Sequence, residues 1–151
     1  MLLFDKSKFL GQVAFELLGV AVDPAQIFFS LAVVEEGKIQ AILVWTDYRP
    51  LHDVWWTIIS FDKRWCTRRN LRVFFRMAFD DLKLKCVRAM TKVHNQQANS
   101  LLTRLGFENE GCLKAFYKTS TKNGPVYDDG VVYCLKSPTA CKLRADGIKA
   151  T

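Results

Sequence analysis

The side chains in this sequence best suited to chemistry are cations. Between Lys63 and Lys92 stand ten basic residues (Lys63, Arg64, Arg68, Arg69, Arg72, Arg76, Lys83, Lys85, Arg88 and Lys92) against only Asp80 and Asp81. The whole chain carries a formal net charge of +7, so this stretch at +8 holds all of the excess and the remainder sums to −1. Clustered guanidinium and ammonium groups make charge-assisted bonds to phosphates and carboxylates, so an anionic ligand is expected here. Arg68, Arg72 and Arg76 recur every four residues and form one stripe if the segment is helical, a pattern that also fits a plain solvated face. His52 and His94 are the only imidazoles, and five cysteines (Cys66, Cys86, Cys112, Cys134, Cys141) lack any C-x-x-C spacing, so no metal site is expected. An odd number of unclustered cysteines reads as free thiols in a reducing compartment, the cytoplasm.

The elements that must position these groups follow from the apolar pattern. With 151 residues, 50% hydrophobic and 13% aromatic, the chain suits one packed domain and excludes a disordered scaffold. Phe9, Leu10, Val13, Ala14 and Leu17 give a helical period from Lys6 to Leu18, stopped by Gly19. Two β-rich runs, from Ile27 to Val34 and from Ile39 to Trp45, flank Glu35-Glu36-Gly37-Lys38 and read as an antiparallel hairpin. Val54 to Phe61 reads as a strand buried on both faces. The helical period returns from Thr67 to Leu82, followed by a strand from Cys86 to Met90 and a helix from Asn95 to Leu105 capped at Gly106. Phe107 to Lys118 and Val131 to Leu135 close the pattern as strands around a polar Asn123-Gly124-Pro125 loop, and residues 137–151 read as a tail after a domain spanning 1–136. No apolar run is long enough to span a membrane, and the N-terminus lacks the charged and apolar regions of a secretory signal.

The segment Asn95-Gln96-Gln97-Ala98-Asn99-Ser100-Leu101-Leu102-Thr103-Arg104-Leu105-Gly106-Phe107-Glu108-Asn109-Glu110-Gly111 resembles the C-terminal half of the GNAT acyltransferase superfamily. It is most similar to the ribosomal-protein N-terminal acetyltransferase branch, whose pattern N-x-x-[SA]-x-x-L-L-x-[KR]-L-G-F-x-x-E-G it meets at every fixed position. The resemblance runs from about Phe28 to Lys136, taking in Ala78-Phe79-Asp80-Asp81-Leu82 and the closing strand from Asp128 to Leu135. It implies a single α/β domain: a central mixed sheet of about six strands with helices on both faces. The small size and divergence also resemble bacteriophage-encoded members.

The same resemblance implies transfer of an acetyl group from acetyl-CoA to a primary amine, whether a protein N-terminus, a lysine or a small amine. The family's phosphate loop, [QR]-x-x-G-x-[GA], falls on Asp62-Lys63-Arg64-Trp65-Cys66-Thr67, with Trp65 and Thr67 where the family has glycines. Lys63, Arg64, Arg68 and Arg69 are therefore expected to take over part of the pyrophosphate grip, with Trp65, Cys66 and Thr67 forming the loop. Trp65 either stacks on the ligand or packs in the core. Ile58 is expected to offer backbone to the pantetheine arm, and Asn95 to bond near the thioester or cap its helix. The family's usual acid tyrosine is Leu102 here, which leaves His52, Asp53, His94 and Tyr117 as candidate proton carriers. The alternative is a GNAT-fold protein without catalysis that binds another macromolecule through the basic helix. Direct nucleic-acid binding is not expected, since no recognised motif accompanies the charge. The oligomeric expectation is a monomer or homodimer.

Overall fold

A computed structural model describes residues 1–5 and 7–137 of the chain. Its elements are β1 (Leu2–Asp5), α1 (Phe9–Leu18), β2 (Ile27–Glu35), β3 (Lys38–Arg49), β4 (Asp53–Ser60), α2 (Arg68–Phe75), β5 (Cys86–Lys92), α3 (Gln96–Arg104), β6 (Glu108–Thr121) and β7 (Gly124–Lys136). α2 continues into a π-helical stretch, Arg76–Asp81. Except for Ser137, the tail expected from 137 onward lies outside the described residues. No helix among the described residues is long and apolar enough to cross a membrane.

Local chemistry sets the helix ends. Thr67 Oγ1 accepts the Asn70 N–H (3.1 Å) at the start of α2, and Asn95 Oδ1 accepts the Ala98 N–H (3.1 Å) at the start of α3. α1 is capped from outside the helix, by the Asp5 carboxylate accepting the Leu10 N–H at 2.8 Å. Its far end closes on Gly19 at φ 69, and a Cβ placed there would stand 2.0 Å from the Lys118 carbonyl oxygen of β6. Gly19→Ala is therefore expected to destabilise the fold by about 2 kcal/mol or more, from left-handed strain plus the clash. Thermal unfolding checks this, with the melting point falling by several degrees.

The strands form one seven-stranded sheet in the order β1-β2-β3-β4-β5-β7-β6. β4 and β5 pair in parallel and every other neighbour is antiparallel. This is the expected mixed sheet with one strand more than the sequence reading counted. The extra strand is β1, four residues held to β2 and tied down by the Met1 ammonium on the Val34 carbonyl and the Glu35 carboxylate. β7 also begins seven residues earlier than its apolar run, because the polar Asn123-Gly124-Pro125 region sits in and beside a tight hairpin turn.

Helices cover both faces, as expected. α2, its π-helical extension and α3 pack Leu71, Phe74, Phe75, Phe79, Leu102 and Leu105 on the face presenting Trp45, Trp56, Val87 and Leu135. α1 packs Ala14 and Phe15 on the other face against Ile27, Ile42 and Val44. β4 is not buried on both sides. Val54 and Trp56 point into the larger core and Ile58 packs against its rim, whereas Trp55, Thr57 and Ile59 on the α1 side are only half-covered.

Candidate active site

The sheet opens between its two central strands. β4 and β5 pair only from Asp53↔Cys86 to Trp56↔Ala89. Beyond that point, among the described residues, Thr57 to Ser60 pair only with β3, and Met90 to Lys92 only with β7. The strands diverge into a notch whose β4 side carries unpaired backbone groups on every second residue. Ile58 lies on this free edge, two residues past Trp56 and half-buried against the larger core.

The chain leaves β4 and folds directly into the start of α2. Asp62 caps a short 3₁₀ turn, Lys63–Trp65, accepting the Arg64 N–H at 2.9 Å. The amides of Trp65, Cys66 and Thr67 bond to carbonyls within the same loop, and Thr67 Oγ1 takes that of Asn70. The N–H groups of Arg68 and Arg69 are left facing outward in the first turn of α2, where the helix dipole favours an anion. No residue from Asp62 to Thr67 adopts a positive φ, so Trp65 and Thr67 stand without strain at the positions matched to glycines.

The loop side chains divide into two groups. Arg64 is committed to Asp62 through Nε (2.9 Å) and Nη2 (2.6 Å), which holds the Asp62 carboxyl down to about 2. Lys63, Arg68 and Arg69 are exposed. Trp65 is buried in the larger core and donates Nε1–H to Ser60 Oγ at 3.0 Å, so of its two expected roles the structure places it in packing. Asn70 Nδ2 donates to the Trp65 carbonyl at 2.8 Å and fastens the loop to α2.

Across from this loop, Asn99, Ser100, Thr103 and Arg104 of α3 line a groove of about 440 Å³. Burial pushes the Cys66 thiol up, and the Arg104 guanidinium partly offsets that, so Arg104 lies near the loop. These four residues were not singled out from the sequence. Their signal was present: Asn99 with Thr103 and Ser100 with Arg104 stand four apart, a polar stripe opposite the leucines. Asn99 also fixes the wall of the notch, donating to the Val93 carbonyl (3.1 Å) and accepting from Tyr133 OH (2.7 Å).

The four candidate proton carriers do not converge. His52 and Asp53 lie at the opposite, closed end of β4, about 13 Å along the strand from Thr57. His52 is exposed with Nδ1 2.9 Å from the Pro50 carbonyl. Asp53, 3% exposed, is gripped by Arg49 through Nε (2.6 Å) and Nη2 (2.7 Å) and by Arg88 Nη1. Arg88 in turn donates Nε to Glu110 at 3.0 Å. His52 and Asp53 thus stand away from the notch, where the parallel pairing of β4 with β5 closes the sheet. His94 and Tyr117 lie toward the open end. His94 is exposed just before Asn95 and faces Asp129 electrostatically. Tyr117 is buried, its phenol is pushed up to about 12 by burial, and Lys92 Nζ stands 5.7 Å from its ring centre.

The hydrogen bonds from Arg49 hold the Asp53 carboxyl below the usual aspartate range. A depressed folded pKa means the unfolded chain takes up the proton first as pH falls, so this contribution is complete above about pH 4 and is lost below it. Asp53→Asn is expected to cost about 2 kcal/mol at neutral pH, a figure reduced because Arg49 is largely exposed, and to flatten the acid limb of stability. Urea unfolding of both proteins from pH 7 down to pH 3 measures both effects.

The sequence matches no family model and no curated protein. Solved structures do match. Spermidine N-acetyltransferase from Vibrio cholerae aligns with a TM-score of 0.69 at 13% identity, covering 94% of this chain and 98% of that one. Ribosomal-protein-S5-alanine acetyltransferase from Vibrio fischeri aligns with a TM-score of 0.60 at 21% identity, covering 87% and 69%. RimJ of Mycobacterium smegmatis, in complex with CoA-disulfide, aligns at 0.57 and 15% identity, covering 72% and 53%. Several further acetyltransferase structures are spanned by this chain over only 58 to 61% of their length. The chain has the GNAT acetyltransferase fold.

Proposed function

We propose that this protein transfers an acyl group, acetyl in the first instance, from an acyl-CoA thioester to a primary amine. The observation that carries the reading is the notch between β4 and β5, opening beside the first turn of α2 and the polar groove of α3. The residues present suit such a ligand. The free amides of Arg68 and Arg69 and the exposed side chains of Lys63, Arg68 and Arg69 would hold its phosphates. The unpaired edge of β4 around Ile58 and the Asn99–Arg104 groove would take the pantetheine arm. The bound thioester supplies the activated carbonyl. The chain's part is then to orient it, exclude water and move protons. Tyr117, buried toward the open end, is the candidate donor to the departing thiolate, although burial makes its phenol a weak acid, and the exposed His94 is the candidate acceptor of the amine proton. Asn95 is engaged in capping α3 through Oδ1, which leaves its Nδ2 for a ligand.

A second reading rests on the phosphate loop. Its amides are spent on its own 3₁₀ turn and Arg64 is spent on Asp62, a poorer cradle than a glycine nest. That favours a GNAT-fold protein that binds without turnover, using the exposed Arg68, Arg72 and Arg76 stripe toward a macromolecular anion. One assay separates the readings: purified protein with labelled acetyl-CoA and a panel of peptide N-termini, lysyl peptides and polyamines, following thiol release. Acyl transfer predicts release above the enzyme-free rate with at least one amine. Release at background, together with no CoA binding, would overturn it.

A further inference from the structure

The face of the sheet opposite α2 and α3 carries a pair of thiols that the proposed transfer does not use. Cys134 of β7 lies directly across from Arg88 of β5, and Cys86 precedes Arg88 by two residues, so all three side chains share one face. Cys86 is among the neighbours that raise the Cys134 thiol, and Arg88 Nη1 stands 3.3 Å from Cys86 Sγ. Both cysteines are free. We propose that Cys86 and Cys134 form a peroxide-responsive thiol pair that oxidises to a disulfide joining β5 to β7.

Their surroundings assign the roles. Cys86 is half-buried, within reach of a small oxidant, and the Arg88 guanidinium donates to its sulfur. Cys134 is 5% exposed, and burial pushes its thiol up to about 12, so it stays protonated and waits as the resolving group. The oxidant is a hydroperoxide. Cys86 sulfur attacks one peroxide oxygen, the O–O bond breaks, and the first water departs, leaving a sulfenic acid. Cys134 sulfur then attacks the Cys86 sulfur, the S–S bond forms as the S–OH bond breaks, and the second water carries off the Cys134 proton. Two electrons pass from the two thiols to one hydrogen peroxide.

Diagonal neighbours on antiparallel strands stand about 7–8 Å apart, just beyond the usual disulfide span, so the bond requires β5 and β7 to move together. Cys112 and Cys66 are excluded as partners by position. Cys112 is exposed on β6 opposite Val131, and Cys66 packs against the larger core on the other face. The link would enclose α3 and most of the β6–β7 hairpin within one covalent loop, one wall of the notch.

The test uses the full chain and a Cys86→Ser variant, treated with hydrogen peroxide under native conditions and in urea, then digested without reduction for mass spectrometry. A Cys86–Cys134 peptide pair two hydrogens lighter than its parts is expected. It should form about tenfold faster in the native protein than in urea, disappear on reduction, and raise the melting point by about 5 °C. In a Cys134→Ser variant, Cys86 should stop at a sulfenic acid captured by dimedone. Cys86 recovered as a sulfinic acid with Cys134 still a thiol, or equal yields of all cysteine pairings in native protein, would overturn the proposal. None of these readouts depends on acyl transfer.

Discussion

Replacing Arg68 and Arg69 together by glutamate is expected to weaken CoA binding about 100-fold or more while leaving the fold intact. Each charge-assisted bond to a phosphate is worth about 1.5–3 kcal/mol, and reversal adds repulsion at the same spot. The two side chains are exposed at the beginning of α2, so no core contact is lost. Acidic residues in a first helical turn also suit the dipole, and the variant should melt no lower than the parent. Calorimetric titration with CoA alongside circular dichroism reads the two quantities separately. An affinity within twofold of the parent, in a folded variant, would remove the first turn of α2 from the binding site.

Trp56→Ala is expected to be the most damaging single change to stability, at about 3–5 kcal/mol, or a melting point lower by about 10 °C. Its ring contacts Trp45 (centroids 5.2 Å apart), Phe75 (5.4 Å), Phe74 (6.3 Å) and Phe107 (6.4 Å), tying β3, α2 and the start of β6 to one residue. Trp56 is also the last residue of β4 that pairs with β5. Its loss therefore loosens the point from which the notch opens, and CoA affinity should fall with stability. Trp56→Phe separates packing from polarity. The buried indole Nε1–H has no partner among the described residues, so removing it forfeits no hydrogen bond and the cost should be only about 1 kcal/mol. Equilibrium unfolding in urea measures both variants.

Long periodic stretches were legible because one force dominated each of them. The leucines of α3 and the phenylalanines of α2 repeat at helical spacing because each helix buries a single stripe. β1 was missed because four residues carry too little period, and the strand is fixed by long-range pairing and by the N-terminal ammonium. The π-helical stretch was likewise hidden. It adds a residue to the turn while keeping Phe75 and Phe79 stacked at 6.2 Å, and apolar spacing does not reveal a ladder shift of one bond.

The site was legible in its charges and its helix starts, but not in its depth along β4. Thr67 and Asn95 begin α2 and α3 as their types suggest. His52 and Asp53 adjoin β4 in sequence, yet a strand rises about 3.3 Å per residue and carries its two ends far apart, which places them away from the notch. The buried role of Asp53, between two arginines, required knowing that β3, β4 and β5 place Arg49 and Arg88 on either side of it. Glu110, from the block that resembled a known motif, is the second anchor of Arg88.

Titration of isotopically labelled protein with CoA, following backbone amide resonances, tests the central claim most directly. Binding in the notch predicts that the largest shifts fall on the β4 edge from Thr57 to Ser60, on Arg68 and Arg69, and on the Asn95 to Arg104 segment. Shifts confined to the outer arginine stripe at Arg72 and Arg76, or to Asp47 and Arg49 at the closed end of the sheet, would contradict it.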